Sequence, residues 1–279
     1  MATHPSYPLA AISEALNAWQ TWDQKWSERK ERPDIGEVLG VGSANTVFAL
    51  NRAPDLVFRV RHNSASLSLN PPKLEIALWR AAAKLGFAPD ILWVGANADV
   101  VITRRLAFDG LVEQAQSQLL KTVHESGITA PRLSLEETAN RYAGTIKEKE
   151  LGPLALNHRT PTILHDLQRL DNEPGCFCHN DLTPSNIGKL ADSHLAIDWE
   201  YASLGSRHFD IAVATQTMEN DARQEFAKRT AGAFFNLSQW QAACRVAPLM
   251  DHLWTLAVFG RAEGAQSKAV VEANWALHE

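Results

Sequence analysis

The sequence predicts an α+β fold with two lobes, a small antiparallel sheet followed by a mainly helical part. A segment at 73–85 has apolar residues at helical spacing, and helical periodicity dominates from residue 110 onward. Five short runs have strand character and are separated by turn residues: 35–41, 46–50, 56–61, 91–94 and 100–103. We therefore expect an N-lobe at 1–105 and a C-lobe at 106–279.

A leading helix is predicted from residue 8 to about residue 29. Ile12, Leu16, Trp19 and Trp26 recur there at helical spacing. Tryptophans could form an aromatic ligand cage, but indoles at this spacing more often pack against a core. We expect packing and assign these residues no role in a site.

The C-terminal part is predicted to contain two strands, at 176–179 and 194–198, joined by a turn at 188–193. The helices of this part are expected at 110–126, 134–147, 159–171, 207–232, 237–259 and 264–277. The strands are the part of this lobe in which polar side chains interrupt apolar runs. They are therefore the expected location of the functional side chains.

Composition and charge exclude several classes of function. The 279 residues have a formal net charge of −5, which gives no general electrostatic reason to attract nucleic acid or an anionic membrane. No run approaches the roughly 20 apolar residues of a membrane span, and the N-terminus lacks a signal-peptide pattern. Three cysteines are too few for a disulfide framework or a four-ligand zinc site. A cytoplasmic protein without nucleic-acid or membrane partners is expected.

Three polar residues after strand-like runs predict phosphoryl transfer, which needs a carboxylate near the attacking hydroxyl and oxygen ligands for Mg²⁺. Asp181 precedes Asn186 by five positions, the spacing of the kinase catalytic loop, and Asp198 ends the next run. We predict that Asp181 is the catalytic base, that His179 braces its loop, and that Asn186 and Asp198 bind Mg²⁺. Either motif alone would fit an ordinary turn or strand end; their order and separation favour the catalytic interpretation.

The phrases His-Asn-Asp-Leu-Thr-Pro-Ser-Asn at 179–186 and Ile-Asp-Trp-Glu-Tyr-Ala at 197–202 resemble the choline kinase, thiamine kinase and aminoglycoside phosphotransferase superfamily. The resemblance covers nearly the whole chain. It implies a protein-kinase-like fold, ATP and Mg²⁺ as cofactors, and transfer of the γ-phosphate to a hydroxyl of a small molecule.

Three interpretations of the acceptor stay open. The Asp-Trp-Glu-Tyr-Ala wording is more similar to choline and thiamine kinases, which implies a choline-, ethanolamine- or thiamine-like amino alcohol. An aminoglycoside or sugar is the alternative substrate class. A pseudokinase that binds nucleotide without transferring phosphate is the non-enzymatic alternative, and the complete set of Asp181, Asn186 and Asp198 argues against it.

A loop of small residues at 39–48, Leu-Gly-Val-Gly-Ser-Ala-Asn-Thr-Val-Phe, is the candidate for contacting nucleotide phosphates. It lacks the third glycine of G-x-G-x-x-G but resembles the corresponding loop of the superfamily. Gly42, Ser43 and Asn45 are the nucleotide-binding candidates. A plain hairpin turn would use the same residue types, and the downstream motifs favour the nucleotide interpretation.

Kinases usually carry a lysine on the third strand, which pairs with nucleotide phosphates and with a helix glutamate. The third strand here reads Leu-Val-Phe-Arg-Val-Arg. Arg59 and Arg61 lie two positions apart and share one face; the resemblance favours Arg59, and Arg61 remains an alternative. Glu75, in the helix that follows, is the expected partner, although a solvated glutamate would fit there equally.

Three further residues are candidates for binding the acceptor. Glu200 follows the metal aspartate, and Asp251 and Trp254 lie on a late helix that resembles the aromatic substrate wall of choline kinases. Carboxylates and indole faces suit a cationic substrate, although a buried tryptophan more often belongs to the core. Asp210, in His-Phe-Asp-Ile-Ala, matches a family position expected to support the catalytic loop.

Overall fold

Five antiparallel strands form a sheet in the N-terminal part of the computed structural model. The strands are β1 (Asp34–Val41), β2 (Asn45–Asn51), β3 (Leu56–Arg61), β4 (Ile91–Val94) and β5 (Val100–Arg104). Their order is β1-β2-β3-β5-β4. Side chains alternate along β3, so Phe58 and Val60 lie in the core while Arg59 and Arg61 face the other side of the sheet.

The structure describes residues 6–23, 31–62, 69–108, 110, 113–152 and 156–278. Within it the chain forms two compact units. The first comprises 1–110 and 188–201, and the second comprises 111–187 and 202–279. The assignment of 1–105 and 106–279 to two functional lobes stays a prediction.

The leading helix is shorter than predicted. Helix α1 spans Leu9–Asn17 and a 3₁₀ turn follows at Trp19–Thr21. The carbonyl of Ala15 accepts the indole N–H of Trp22 and the backbone N–H of Ala18, which also keeps its helical bond to the Glu14 carbonyl. These bonds give the Ala15 carbonyl its partners at the end of the helix. Trp22 lies in the core and Trp19 packs against it, which confirms packing for these indoles; Trp26 lies outside the described residues.

The second helix follows the prediction closely. Helix α2 spans Pro72–Lys84 with proline in its first position, where the missing N–H costs nothing. Glu75 therefore lies in the first turn and is buried. The indole of Trp79 donates to the carbonyl of Pro89 at 2.7 Å, which fixes the helix next to the loop that leads into β4.

A hairpin replaces the turn predicted at 188–193. Strands β7 (Ile187–Leu190) and β8 (Ser193–Ala196) pair with each other. Lys189 exchanges two backbone hydrogen bonds with Ala107. A Cβ at Gly188 would come within 2.6 Å of the Cβ of Leu106, so this close approach requires glycine.

The second unit is mainly helical. Its short strands β6 (Cys176–Cys178) and β9 (Ser203–Gly205) pair antiparallel. Its helices are α3 (Glu113–Glu125), α4 (Leu135–Glu148), α5 (Pro161–Asp171), α6 (Arg207–Ala214), α7 (Asn220–Ala231), α8 (Leu237–Phe259) and α9 (Arg261–His278). The α+β class predicted from the sequence is confirmed.

One predicted helix is two helices in the structure. The segment 207–232 breaks after Ala214, where the Thr215 hydroxyl donates to the carbonyl of Ile211. Arg223 of α7 donates to the carbonyl of Ala212, so a carbonyl near the end of α6 still has a partner. Among the described helices, none is both long and apolar enough to cross a membrane.

Candidate active site

Glu75 joins the two arginines of β3. Its Oε1 lies 2.5 Å from Nη2 of Arg59, and its Oε2 lies 2.9 Å from Nη1 of Arg61. The predicted shared face of the two arginines is therefore confirmed, and Glu75 is buried rather than solvated. Because both arginines bond Glu75, this contact alone does not choose between them.

Asp198 distinguishes the two arginines. Nη2 of Arg59 also lies 3.4 Å from Oδ1 of Asp198. Burial opposes the charge of Arg59, but Glu75 and Asp198 outweigh it and raise its pKa. The pKa of Asp198 is raised as well, because burial and the Glu75 carboxylate outweigh the arginines. Asp198 has φ of 68°, a left-handed conformation that is uncommon outside glycine and concentrated at functional sites.

Glu200 lies in a 3₁₀ turn at Trp199–Tyr201 and is buried. Asn70 holds this turn, since its backbone N–H donates to the Glu200 carbonyl at 3.0 Å. Among the described residues, Oε2 of Glu200 has no hydrogen-bond partner. Burial, followed by the charges of Asp198 and Glu75, raises the pKa of Glu200 to about 8. Burial therefore favours the protonated form of Glu200 at neutral pH.

The small-residue loop joins β1 to β2. The N–H of Gly42 donates to the carbonyl of Asn45 at 2.8 Å. An added Cβ would meet nothing within 4 Å at Gly40, and only the Asn45 carbonyl at 3.5 Å at Gly42. Ser43 is half-buried, and Oδ1 of the buried Asn45 lacks a partner among the described residues. The glycines therefore leave open space rather than relieve a clash within the protein.

His62 supports this loop, although no local sequence pattern indicates this role. Its backbone N–H donates to the carbonyl of Ala44 at 2.8 Å, and Nε2 lies 2.8 Å from Oγ1 of Thr46. Burial, and then the charge of Arg61, lowers the pKa of His62 against an opposing hydrogen bond to the Ser43 backbone. A neutral imidazole therefore holds the loop in place.

The predicted catalytic segment lies in the second unit. Nδ2 of Asn186 donates to both the Oδ2 and the backbone carbonyl of Asp181, each at 2.8 Å. The Asp181 carbonyl also accepts the N–H of Thr183, so the segment forms a tight turn. These bonds orient the Asp181 carboxylate and leave the amide oxygen as the atom with which Asn186 could bind a cation.

Asp210 of α6 supports the catalytic segment, as predicted. Its Oδ2 accepts the backbone N–H of His179 at 3.1 Å, and its Oδ1 accepts that of Asn180 at 2.7 Å. Asn180 has φ of 62°, a conformation that asparagine tolerates better than most residues. His179 is completely buried, a position that suits a brace rather than a contact with substrate.

Asp251 and Trp254 lie three positions apart on α8 and so share one side of the helix. Asp251 is exposed, and Trp254 is half-buried with an edge-on contact to Phe259. Among the described residues, Nε1 of Trp254 has no hydrogen-bond partner. Glu200 belongs to the first unit. The role of these three residues in binding an acceptor stays a prediction.

The profile of the phosphotransferase enzyme family matches residues 36–249. The chain belongs to this family. The match includes the loop at 39–48, the Arg59 and Glu75 pair and the segment from His179 to Asp198, which are the parts of the sequence from which phosphoryl transfer was predicted.

Similar proteins agree with the family. A LicA homologue from Mycoplasma capricolum is 26% identical over 115 residues, which cover 40% of this chain and 48% of that protein. The chain therefore spans about half the length of this curated relative. Choline kinase LicA from Streptococcus pneumoniae is similar in structure, with a TM-score of 0.71, 15% identity and coverage of 95% of this chain and 99% of that one. A LicA structure in complex with AMP has a TM-score of 0.68 at 15% identity, covering 92% and 97%. These likenesses show the protein-kinase-like fold.

The residues predicted to bind Mg²⁺ have suitable chemistry for a phosphotransferase of this family. Mg²⁺ prefers oxygen ligands and one or two carboxylates. Asp198 supplies a carboxylate, Asn186 an amide oxygen, and the unpartnered Oε2 of Glu200 a further acceptor two residues from Asp198. Each of these oxygens is of a type that suits a hard divalent cation, and their combination in one site stays a prediction.

Replacing Glu75 by alanine should destabilise the protein. The change leaves two guanidinium groups buried without their shared carboxylate, and removing one partner of a buried pair costs about 3–5 kcal/mol. Asp198 keeps a contact with Arg59, so we expect the lower end of that range in denaturant unfolding. The control is Glu225→Ala, which removes the exposed ion pair with Lys228 and should cost no more than about 1 kcal/mol. Equal losses for the two variants would contradict the assigned importance of Glu75.

His62 should make stability depend on pH. Since its pKa is lower in the folded protein than the ordinary value of 6.5, neutral His62 stabilises the fold above pH 6.5, and this contribution is lost as pH falls through the folded pKa. The thermal midpoint of the wild type should therefore fall on acidification by more than that of His62→Gln, which cannot be protonated. His165→Gln is the control, because that histidine is exposed, lies outside the loop and contacts Arg169 at 3.5 Å. If the His62→Gln curve parallels that of the wild type, the role of His62 is wrong.

Proposed function

We propose that the protein is an ATP-dependent kinase that transfers the γ-phosphate to the hydroxyl of a choline- or ethanolamine-like amino alcohol. The observation that carries the proposal is the Asn186 amide held against the Asp181 carboxylate at 2.8 Å. This bond gives the carboxylate one orientation, which phosphoryl transfer requires because catalysis there is mainly positioning and electrostatic stabilisation. Membership of the phosphotransferase family supports it.

Asp181 is proposed to accept or orient the proton of the substrate hydroxyl. The backbone that carries it is fixed on one side by Asp210 and on the other by the turn to Asn186. A carboxylate held in this way loses little freedom when the transition state forms. His179, which is buried beside Asp210, is proposed to brace this arrangement and not to touch the substrate.

The nucleotide is proposed to bind through residues of the first unit. Open space at Gly40 and Gly42 would let backbone N–H groups approach phosphate oxygens. Ser43 and Asn45 are proposed to add side-chain contacts. Arg59 is proposed to bind the phosphates, because it contacts Asp198, a proposed Mg²⁺ ligand, as well as Glu75. The complex of LicA with AMP supports nucleotide binding by this fold.

Asn186 and Asp198 are proposed to hold Mg²⁺, with Glu200 as a further acceptor. When bound, the cation supplies positive charge against the phosphate oxygens. Arg59 would then lose part of its pairing with Asp198 and become available to the nucleotide. Glu75 would retain Arg59 through the contact at 2.5 Å.

The acceptor is proposed to be a small cationic alcohol. The similarity to choline kinase LicA and to a LicA homologue supports this class. Asp251 and Trp254 present a carboxylate and an indole on one side of α8, and such groups attract quaternary ammonium ions. Glu200 is proposed as a further acidic group that would favour a cationic acceptor, because a nearby cation stabilises the ionised carboxylate.

Replacing Asp181 by asparagine should lower turnover by orders of magnitude while ATP binding changes little, because the carboxylate acts in the transition state. Turnover can be followed by coupled release of ADP with choline, ethanolamine, thiamine, aminosugars and aminoglycosides as acceptors. The control is Asp192→Asn, the same chemical change in an exposed turn, which should behave like the wild type. Turnover of aminoglycosides alone would move the assignment to that class, and no turnover of any hydroxyl compound would support a pseudokinase.

Replacing Trp254 by leucine should raise the KM for choline by about 2- to 30-fold, the equivalent of roughly 0.5–2 kcal/mol of cation–π attraction. The KM for ATP should stay unchanged. Trp254→Phe retains a ring and should lose less than the leucine variant. If the choline KM is the same in all three proteins, Trp254 belongs to the core and not to the acceptor site.

A further inference from the structure

A cluster of soft metal ligands lies in the second unit, apart from the predicted Mg²⁺ ligands. Cys176 and Cys178 are two positions apart on β6, so their side chains project from the same face of the strand. One ring nitrogen of His124, on α3, and both Sγ atoms lie within 4.8 Å of one another. Two thiols and an imidazole form one of the ligand sets that proteins use for zinc.

The sulfur separation fits a bound ion. The two Sγ atoms are 3.7 Å apart, and a tetrahedral zinc ion with Zn–S bonds of about 2.3 Å holds its sulfurs about 3.8 Å apart. A plain thiol hydrogen bond would give a similar distance. The third donor therefore decides between the two interpretations.

His124 has a buried ring nitrogen that is available to a ligand. Asp210 accepts two backbone N–H groups and so acts as a carboxylate, which means that Nε2 of His124, at 2.8 Å, donates its proton to it. Nδ1 is then an acceptor, and it has no partner among the described residues. His124 is only 4% exposed, so an unpaired nitrogen there carries an energetic cost that a metal would remove.

We propose that Cys176, Cys178 and Nδ1 of His124 bind a Zn²⁺ ion, with a fourth position left for water. Three protein ligands and one open position are an established zinc geometry. Asp210 completes a carboxylate–histidine–metal arrangement, which orients the imidazole. Binding releases the thiol protons of the two cysteines. Cys176 is half-buried, so the site is open to solvent on that side. The hydrogen bond from Cys178 lowers the pKa of the Cys176 thiol to about 7.

The site has a consequence for the catalytic segment. Asp210 accepts hydrogen bonds from the His124 ring and from the backbone N–H groups of His179 and Asn180. An ion on Nδ1 would fix the imidazole and, through Asp210, the turn that leads to Asp181. This structural consequence depends on the proposed function, whereas zinc binding itself does not.

The test uses the whole protein after treatment with a reductant and a chelator. Titration with Co²⁺ should give a thiolate-to-cobalt charge-transfer absorption that saturates at one ion per chain, and Zn²⁺ should displace it. Zn²⁺ should also raise the thermal midpoint, because it binds the folded state. Cys176→Ser should weaken binding by about 100-fold or more, since loss of an outer partner alone costs about 10- to 100-fold.

Two further variants keep the result interpretable. Cys244→Ser is the matched control, because Cys244 is a buried cysteine outside the cluster and its loss should leave the absorption unchanged. His124→Gln retains a donor for Asp210 but lacks the second nitrogen, so it should fold and bind Co²⁺ weakly. Three results would each overturn the proposal. They are Co²⁺ binding without a thiolate absorption, an equal loss of that absorption in the Cys244 variant, and a Cys176–Cys178 disulfide that takes up no metal. All these readouts are independent of kinase turnover.

Discussion

A single buried carboxylate organises the second unit. Asp210 accepts the backbone N–H groups of His179 and Asn180 and the ring N–H of His124. Three donors around one buried carboxylate compensate for its loss of hydration, and hydrogen bonds to a charged group are about twice as strong as neutral ones. The left-handed backbone of Asn180 persists because this carboxylate fixes the residues on both sides of the 179–180 peptide bond. The position of Asp181 follows from that constraint.

The first unit depends on a different charge arrangement. Glu75 forms ion pairs with Arg59 and Arg61, and Arg59 forms a further ion pair with Asp198. A buried network of this kind contributes little net stability compared with apolar packing, but it fixes the positions of its members. In a phosphotransferase fixed side-chain positions are useful, because groups that bind phosphate must be in place before the reaction. Burial is the largest cause of the raised pKa values of Asp198 and Glu200, and the two arginines offset it only in part.

Local patterns predicted most of the fold. Strands β1 to β5, helix α2 and helices α3 to α5 have boundaries within a few residues of those expected, because their apolar spacing and turn residues are strong. The predictions failed where contacts outside the local apolar and turn pattern were involved. The indole of Trp22 bonds the Ala15 carbonyl where α1 ends. Lys189, in an expected turn, instead pairs with Ala107 as part of a strand. Arg223 bonds the Ala212 carbonyl near the break after Ala214.

Within the site, the chemistry of Arg59 and Glu75 was visible in the sequence. His62 and His124 were not, since an isolated histidine has no local pattern that reveals its partner.

The assignment of residues 188–201 to the first unit bears on how the chain is made. Arg59 and Asp198 are 139 positions apart, and the intervening residues 111–187 belong to the second unit. On the ribosome the N-terminal sheet emerges long before the hairpin that pairs Lys189 with Ala107. Proteins usually fold unit by unit as they are synthesised, but this first unit cannot be completed until the chain has passed residue 201. Until then Arg59 lacks its contact with Asp198.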